Sequence, residues 1–281
     1  MPPLDCRPGK LAAPMTLPPP SESSTCLVTG ASSGIGAAIA RELAARGHGV
    51  TLTARRKDRL TELASELSER HGIRAETVAC DLASAAARGR MVQTIARRGL
   101  DVDVLVNNAG FGSAGRFQQL DAEAELMMVR TNVEAVVDLC TIYVPEMVER
   151  RRGAILNVAS VAAYQPVPRQ ATYAATKAFV LSFTEGLHVD LKGTGVTATA
   201  LCPGPTKTEF GDAAGIKEEL FEIPGLVYSA EEMAAAGVRA MERGRRAVVP
   251  GATNVVSAVG GRLMPRALVL PLIDRFYPVG K

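Results

Sequence analysis

Short apolar runs alternate with longer segments of helical periodicity along most of the chain. The apolar runs are rich in β-branched residues and predict buried strands. They lie at residues 26–29, 50–53, 76–79, 102–106, 154–158, 196–201 and 247–249. The intervals predict helices over residues 35–46, 57–71, 83–98, 121–151, 173–191 and 230–242. Alternating strands and helices predict an α/β fold, a doubly wound sheet of about seven parallel strands with helices on both faces.

The two ends of the chain differ from this alternating region. Residues 1–24 carry seven of the 17 prolines, so we predict a disordered extension in which neither a helix nor a central strand persists. A secretory signal is not expected, because Pro14 interrupts the apolar stretch LAAPMTL. No linker interrupts residues 25–250, which predicts one domain followed by a tail over residues 251–281.

The tail mixes apolar residues with arginines over residues 261–276. This composition suits contact with a membrane surface. The alternative, which we favour, is a tail folded against its own subunit or against a neighbour's substrate cleft. The apolar stretch over residues 263–273 is too short to span a bilayer, which needs about 20 apolar residues.

The charge balance and the cysteine content make some classes of function unexpected for this chain. The 32 basic and 29 acidic residues give a net charge of +3 without long basic runs, so we expect no nucleic-acid partner. The five cysteines form no CxxC pair and lie mostly in strand-like runs, which predicts reduced, buried thiols in a cytoplasmic protein. The three histidines lie far from any cysteine pair, and we expect no metal site.

The stretch TGASSGIG, residues 29–36, follows the first predicted strand and opens the first predicted helix. Free N–H groups and the helix dipole favour an anion at such a junction. Gly30 would permit the tight turn, Gly34 would let a pyrophosphate approach the backbone, and Gly36 would let the helix pack against the sheet. The GxxxGxG spacing does not match the GxGxxG fingerprint literally, and a purely structural turn is the alternative.

Tyr173 and Lys177 are four residues apart, so a helix would place them on one face. A phenol has a pKa near 10, and a nearby ammonium favours the phenolate and brings it into the range of acid–base catalysis. Ser160 lies at the carboxyl end of the fifth predicted strand, where parallel strands face a binding crevice. An isolated YxxxK motif would instead indicate a surface helix.

With these motifs, the sequence resembles the short-chain dehydrogenase/reductase family, in its short single-domain branch. The resemblance covers roughly residues 25–249, and an unrelated α/β protein is the alternative. The motifs are TGASSGIG at 29–36, Asp81 in CDL, NNAG at 107–110, Asn132 in TNV, Ser160 with Tyr173 and Lys177, and PG at 203–204.

The resemblance implies a Rossmann-type fold that binds a nicotinamide dinucleotide across the carboxyl ends of its strands. Tyr173 would exchange a proton with the substrate oxygen while hydride moves to or from the nicotinamide. Lys177 would hold the nicotinamide ribose and lower the Tyr173 pKa, and Ser160 would hydrogen-bond the substrate carbonyl. Asn132 would hold a water in a proton relay towards Lys177, or else fix a helix kink.

The resemblance also implies a set of cofactor-binding residues. Asp81 would reach the adenine amine, with helix capping as its alternative, and the NNAG segment would line the adenosine side or stabilise the central strand. The expected set is Gly30, Ser32, Ser33, Gly34, Ile35, Gly36, Arg55, Asp81, Leu82, Asn108, Ala109, Gly110, Tyr173, Lys177, Pro203, Gly204 and Thr206.

The end of the second strand, VTLTARR, predicts NADP(H) in preference to NAD(H). Ala54 stands where an NAD-preferring enzyme has an acid for the ribose 2′-hydroxyl, and alanine does not repel a 2′-phosphate. Arg55 can grip a phosphate and stack beside adenine, Ser32 could add a hydroxyl donor, and Arg56 is a second charge or a solvated residue. Ser33 departs from the pattern, because many NADP-preferring relatives have Lys or Arg there.

We therefore expect an enzyme that interconverts a carbonyl and an alcohol on a small or hydrophobic substrate. Residues 203–226 would close over the substrate and residues 164–170 would form the opposite wall. The apolar residues of the closing segment are Phe210, Ile216, Leu220, Phe221 and Ile223. A catalytically inactive nucleotide-binding regulatory or scaffold protein of the same fold is the alternative. The resemblance also implies a homodimer or homotetramer, because family members pair the long helices that correspond to residues 121–151 and 173–191 across two-fold axes.

Overall fold

Seven parallel strands form the central sheet of the computed structural model, which describes residues 17–213 and 227–276. They are β1 (Ser24–Thr29), β2 (Val50–Ala54), β3 (Ala75–Ala79), β4 (Asp101–Asn107), β5 (Gly153–Val158), β6 (Val196–Leu201) and β7 (Ala247–Val248). Their order in the sheet is β3-β2-β1-β4-β5-β6-β7, and every pairing is parallel. The predicted α/β fold with a parallel sheet is confirmed.

The helices in the described part of the chain are α1 (Gly34–Ala44), α2 (Lys57–His71), α3 (Ala85–Arg97), α4 (Ala122–Val129), α5 (Ala135–Glu149), α6 (Ala171–Asp190), α7 (Glu209–Ala213), α8 (Ala230–Glu242), α9 (Ala252–Leu263) and α10 (Arg266–Phe276). Helices α1, α2 and α8 bury their apolar faces on one side of the sheet, and α3, α5 and α6 on the other. Both faces of the central strands are therefore covered, which explains their nearly continuous apolar sequences.

The strand order reverses direction at β1, which has β2 on one side and β4 on the other. The chain winds outwards from β1 to β3, crosses back to β4, and then winds outwards to β7. In open parallel sheets, ligands bind outside the carboxyl ends of the strands at such a switch point. The glycine-rich turn after β1 lies at this point.

The segment predicted as one helix over residues 121–151 is interrupted. A π-helical turn, Arg130–Glu134, separates α4 from α5. The buried Asn132 lies in this turn, and its amide hydrogen-bonds the backbone of Phe111 and the hydroxyl of Thr176. Apolar periodicity does not reveal a wider turn, because the apolar residues on either side still recur at helical spacing.

The folded region begins before the predicted boundary at residue 25. Leu17 is buried in the core, Arg152 donates a hydrogen bond to the carbonyl of Pro19, and β1 begins at Ser24. A proline-rich segment can pack through single side chains even where it forms no regular structure. The rest of the predicted extension, residues 1–16, lies outside the described residues.

The C-terminal tail forms α9 and α10, which pack on the same subunit. Ala258 and Val269 are buried, and Arg169 forms an ion pair of 3.1 Å with Asp274. A Cβ atom at Gly261 would lie 2.3 Å from the side-chain oxygen of Gln165, so α9 sits directly on the segment after β5. The outer face carries exposed apolar residues, and no helix within the described residues has the length and hydropathy to cross a membrane.

Candidate active site

A cleft of about 810 Å³ opens at the carboxyl ends of the strands. This volume lies in the upper part of the range for ligand sites, roughly 300–1,000 Å³. Its walls contain every predicted catalytic and cofactor-binding residue except two. Gly36 and Asn132 are buried behind the wall. The structure therefore brings together residues that are spread over about 180 positions of the sequence.

The glycine-rich turn leaves a bare backbone at one end of this cleft. Gly30 and Gly34 have φ angles of +66° and +56°, a region that favours glycine. A Cβ atom at Gly30 would lie 2.8 Å from Ala109 Cα, and one at Gly36 would lie 2.4 Å from the carbonyl oxygen of Gly30. Ser33, the N-cap of α1, makes no side-chain capping bond. The first-turn N–H groups thus fit an anionic ligand such as a pyrophosphate.

Arg56 reaches across this turn. Its Nη2 atom donates hydrogen bonds of 3.0 Å to Ser32 Oγ and 2.8 Å to Ser33 Oγ. Arg55 also lines the cleft, and Ala54 ends β2 beside it. The sequence analysis assigned the main role to Arg55 and left the role of Arg56 open, because no sequence signal distinguishes two successive arginines at a strand end. The structure places Arg56 in contact with the turn.

The adenosine side is held together by bonds among its own residues. Asn108 Nδ2 donates to the carbonyl oxygens of Thr29 and Gly30, and Thr29 Oγ1 accepts from the backbone N–H groups of Asn108 and Ala109. Asp81 Oδ1 accepts from the N–H of Ala83 at 3.0 Å. The contacts of NNAG correspond to its structural alternative, whereas the bond of Asp81 does not cap a helix, because the N-cap of α3 is Ser84. Both segments also line the cleft. Thr29 organises the turn and was not predicted as a site residue.

Tyr173, Lys177 and Ser160 meet at the other end of the cleft. Tyr173 and Lys177 lie on α6, and Ser160 follows β5. Lys177 Nζ donates a 2.8 Å hydrogen bond to the carbonyl oxygen of Val158 and lies 5.8 Å from the centre of the Tyr173 ring. Ser160 is the neighbouring side chain that interacts with the Tyr173 phenol. All three side chains are buried.

Burial controls the ionisation of this group. It raises the pKa of Tyr173 to about 12, although the interaction with Ser160 acts in the opposite direction. It also lowers the pKa of Lys177 to about 8. The expected lowering of the Tyr173 pKa by Lys177 is therefore wrong for the protein alone: burial disfavours the charged phenolate, and Lys177 is not among the causes of the shift. At neutral pH the phenol is protonated.

Asn132 and Lys177 both lie close to Gly110. A Cβ atom at Gly110 would lie 3.0 Å from Asn132 Oδ1 and 3.4 Å from Lys177 Nζ. Both N–H donors of the Asn132 amide are used, by Phe111 O at 3.0 Å and Thr176 Oγ1 at 3.1 Å. These bonds match the helix-kink alternative, and the predicted water relay stays a prediction.

The wall around Tyr173 is mainly apolar. Phe210 packs on Tyr173 with 5.4 Å between ring centres. The other apolar residues of this wall are Phe111, Met127, Val167, Leu272 and Ile273. Phe210 and Val167 belong to the predicted substrate walls, whereas Leu272 and Ile273 of α10 were missed because no motif links them to the site. The predicted Ile216, Leu220, Phe221 and Ile223 lie outside the described residues.

Two further sequence expectations concern Thr206 and the metal-ligating side chains. Thr206 lines the cleft but also donates a 3.0 Å bond to the carbonyl oxygen of Gly204, and Thr208, which was missed, lies against Gly34.

Within residues 17–213 and 227–276, no three His, Cys, Asp or Glu side chains form a group that could hold a metal. The described cysteines, Cys26, Cys80, Cys140 and Cys202, are buried and unpaired, and Cys6 lies outside the described residues.

Comparison with known proteins identifies the family. The short chain dehydrogenase family model matches residues 24–219. The chain belongs to this family. Sulfoacetaldehyde reductase 2 of Chromohalobacter salexigens is 40% identical to this dehydrogenase over 190 residues, which cover 67% of the chain and 75% of the relative.

Solved structures share the fold of this dehydrogenase. The short-chain dehydrogenase from Sphingobium yanoikuyae in complex with NADPH superposes with a TM-score of 0.76 at 34% identity, covering 85% of this chain and 92% of the other. The bulky-bulky ketone specific alcohol dehydrogenase from Comamonas testosteroni has a TM-score of 0.72 at 28% identity, covering 95% and 97%. This dehydrogenase is an oxidoreductase that acts on CH–OH groups.

Proposed function

We propose that this dehydrogenase uses NADP(H) to interconvert a hydrophobic carbonyl compound and its alcohol, with Tyr173 as the acid–base group. The observation that carries the proposal is the single cleft that joins Tyr173, Ser160 and Lys177 to the bare glycine-rich turn. A bound nicotinamide would supply or accept the hydride. A catalytically inactive scaffold would have no need of a buried, protonated phenol in this cleft.

The side chains of the site suit carbonyl reduction. The phenol of Tyr173 is neutral at pH 7 because burial raises its pKa to about 12, so it can donate a proton to a substrate oxygen. Ser160 can donate a second hydrogen bond to the same oxygen and stabilise the charge that develops there. Lys177 would hold the nicotinamide ribose, as in the family pattern. In the reverse direction, Tyr173 would accept the proton.

The end of β2 supports NADP(H) over NAD(H). Ala54 brings no negative charge, while Arg55 and Arg56 both line the cleft beside Ser32. Guanidinium groups bind phosphate oxygens in a bidentate geometry. The Sphingobium relative was solved with NADPH, which agrees with this assignment, and NAD(H) is expected to be the weaker cofactor.

The substrate side favours a bulky, uncharged compound. The wall around Tyr173 combines aromatic and aliphatic side chains from α6, α7 and α10. Among the described residues that line the cleft, the cations are Lys177 near Tyr173 and Arg55 and Arg56 at the distant β2 end. Among these described residues, a small sulfonate such as the substrate named for the Chromohalobacter relative would find no spare cation beside Tyr173.

A substrate panel tests the proposal. NADPH absorbance would be followed with bulky aryl or alicyclic ketones, medium-chain aldehydes and sulfoacetaldehyde, in the parent and in Tyr173→Phe. We expect the highest kcat/KM for bulky ketones, and a value lower by about 10²–10⁴-fold in the variant. Tight NADPH binding without turnover of any compound would support the inactive scaffold, and a preference for sulfoacetaldehyde would contradict the substrate class.

We also propose a homodimer or homotetramer in the cytoplasm. Phe179 and Val189 on α6 are exposed by 41% and 53%, which is typical of apolar residues that a second subunit covers. Four buried, unpaired thiols agree with a reducing compartment. Light scattering coupled to gel filtration would give the mass, and a monomer at micromolar concentration would contradict the assembly.

A further inference from the structure

Three charged side chains meet at the rim of the cleft, where no sequence motif predicted a contact. Glu209 Oε2 accepts from Arg56 Nη1 at 2.7 Å, and Glu209 Oε1 accepts from Arg59 Nη1 at 2.5 Å. Each of the three side chains is between 45% and 49% exposed. One carboxylate therefore uses both oxygens to join two arginines.

The contact links opposite sides of the cofactor cleft. Arg56 follows β2 and Arg59 lies in the first turn of α2, whereas Glu209 begins α7 on the segment after β6. Thr208, the residue before Glu209, lies against Gly34 of the glycine-rich turn. Phe210, the residue after it, packs on Tyr173. The position of α7 is thus tied both to the arginines and to the substrate wall.

A carboxylate and a phosphate accept hydrogen bonds from the same donors. Guanidinium groups bind either anion through parallel N–H bonds. Arg56 also contacts Ser32 and Ser33, so its guanidinium lies where the proposed 2′-phosphate would approach. The hydrogen bonds from Arg56 and then Arg59 lower the pKa of Glu209 to about 2, and the carboxylate is ionised at neutral pH.

We propose that Glu209 competes with the cofactor's 2′-phosphate for Arg56 and Arg59, and that NADP(H) binding releases α7 from this arginine pair. The inference rests on the proposed use of NADP(H) and adds Arg59 to the residues that select it. A phosphate that carries nearly two charges replaces a single carboxylate, so the exchange favours the cofactor. NAD(H) and other nucleotides without a 2′-phosphate leave the contact with Glu209 intact.

The opposite role for Glu209 makes the opposite prediction. If the carboxylate holds the arginines in a productive position, its removal weakens binding of a 2′-phosphate. If it competes, its removal strengthens that binding. Exposed ion pairs are weak individually, so we expect a gain of about three- to tenfold in affinity.

Calorimetric binding to the ligand-free protein separates the two roles without measuring activity. The ligands are NADP⁺ and 2′,5′-ADP, with NAD⁺ and 5′-AMP as the matched pair that lacks the phosphate. Glu209→Gln should bind NADP⁺ and 2′,5′-ADP more tightly, and its affinity for NAD⁺ and 5′-AMP should be unchanged. The control is Glu66→Gln, because Glu66 on α2 forms a similar exposed pair with Arg41 on α1, at 2.7 and 2.8 Å, and neither residue lines the cleft. It should change neither pair.

A double-mutant comparison tests the part of Arg59. Arg59→Gln should weaken 2′,5′-ADP binding more in the Glu209→Gln background than in the parent, because Glu209 occupies Arg59 in the parent. Weaker or unchanged NADP⁺ binding by a folded Glu209→Gln would overturn the inference, and so would an equal gain for 5′-AMP. If the parent protein binds NAD⁺ more tightly than NADP⁺, the proposed cofactor is wrong. This outcome is measured on the parent alone, so it is distinguishable from a failure of the Glu209 inference.

Discussion

Replacing Tyr173 by phenylalanine removes the proposed proton donor and little else. The ring would keep its contact with Phe210, whose centre lies 5.4 Å away. The main loss is the interaction of the phenol with Ser160, and even a full hydrogen bond there would contribute only about 1 kcal/mol to stability. Phenylalanine has no proton to transfer, and general acid–base groups contribute about 10²–10⁴-fold to rate. We therefore expect kcat to fall by that factor with a nearly unchanged thermal midpoint and NADPH affinity.

Tyr143 provides the matched control for this change. It is buried on α5, and its hydroxyl has no hydrogen-bond partner among the described residues. Tyr143→Phe should retain parental kcat and equal or higher stability, since it removes an unsatisfied buried hydroxyl. The assay is NADPH oxidation at saturating ketone, together with calorimetric NADPH binding. A Tyr173→Phe variant that binds NADPH normally and turns over at the parental rate would refute the assignment.

Three further predictions follow from the site and the tail. Arg56→Ala should lower kcat/KM for NADPH by about ten- to a hundredfold, the range for a charge-assisted bond, and by more than Arg55→Ala, with NADH little affected; equal changes for both cofactors would contradict it. Burial lowers the Lys177 pKa from 10.5 to about 8, so the unfolded chain binds more protons between these values and the contribution of Lys177 to stability rises with pH there. Lys177→Met should therefore be more stable than the parent at pH 7, by an amount on the order of 3 kcal/mol. This difference in the free energy of unfolding should shrink towards pH 10. A denaturation series in which the difference does not change with pH would contradict the prediction. Because α9 and α10 pack on their own subunit, the full chain and a chain ending at Pro250 should pellet equally with anionic liposomes, whereas selective pelleting of the full chain would assign membrane contact to the tail.

The sequence predicted the sheet and the reacting groups because both depend on local patterns. Short apolar runs marked all seven strands of the described chain. The turn at 29–36 and the Tyr173–Lys177 spacing marked the two ends of the cleft. In each case, the residues that determine the structure are neighbours in sequence, so their spacing alone carries the information.

Other parts of the site depend on contacts between distant segments. Arg55 and Arg56 are equivalent by sequence, and only the packing of β2 against the glycine-rich turn places Arg56 on Ser32 and Ser33. Pro265 precedes α10 and Pro271 lies within it, so the tail is helical in spite of two prolines. The contribution of Ile273 to the cluster around Tyr173 could not be predicted, because the two residues are 100 positions apart.

Residues that belong to sequence motifs line one half of the cleft, and residues outside any motif line the other half. Loops after the strands supply the proposed cofactor half, and Ser160 after β5 together with Tyr173 and Lys177 on α6 supplies the proposed reacting groups. The chemistry of hydride and proton transfer requires a definite geometry of these groups. The substrate half comes from Phe210 on α7 and from Leu272 and Ile273 on α10, which have no reacting atom to place and need only suit the shape of the substrate. Membership of the family therefore defines the reaction but not its substrate. Changes of size at these three positions should alter which ketone is preferred while leaving the dependence on Tyr173 intact.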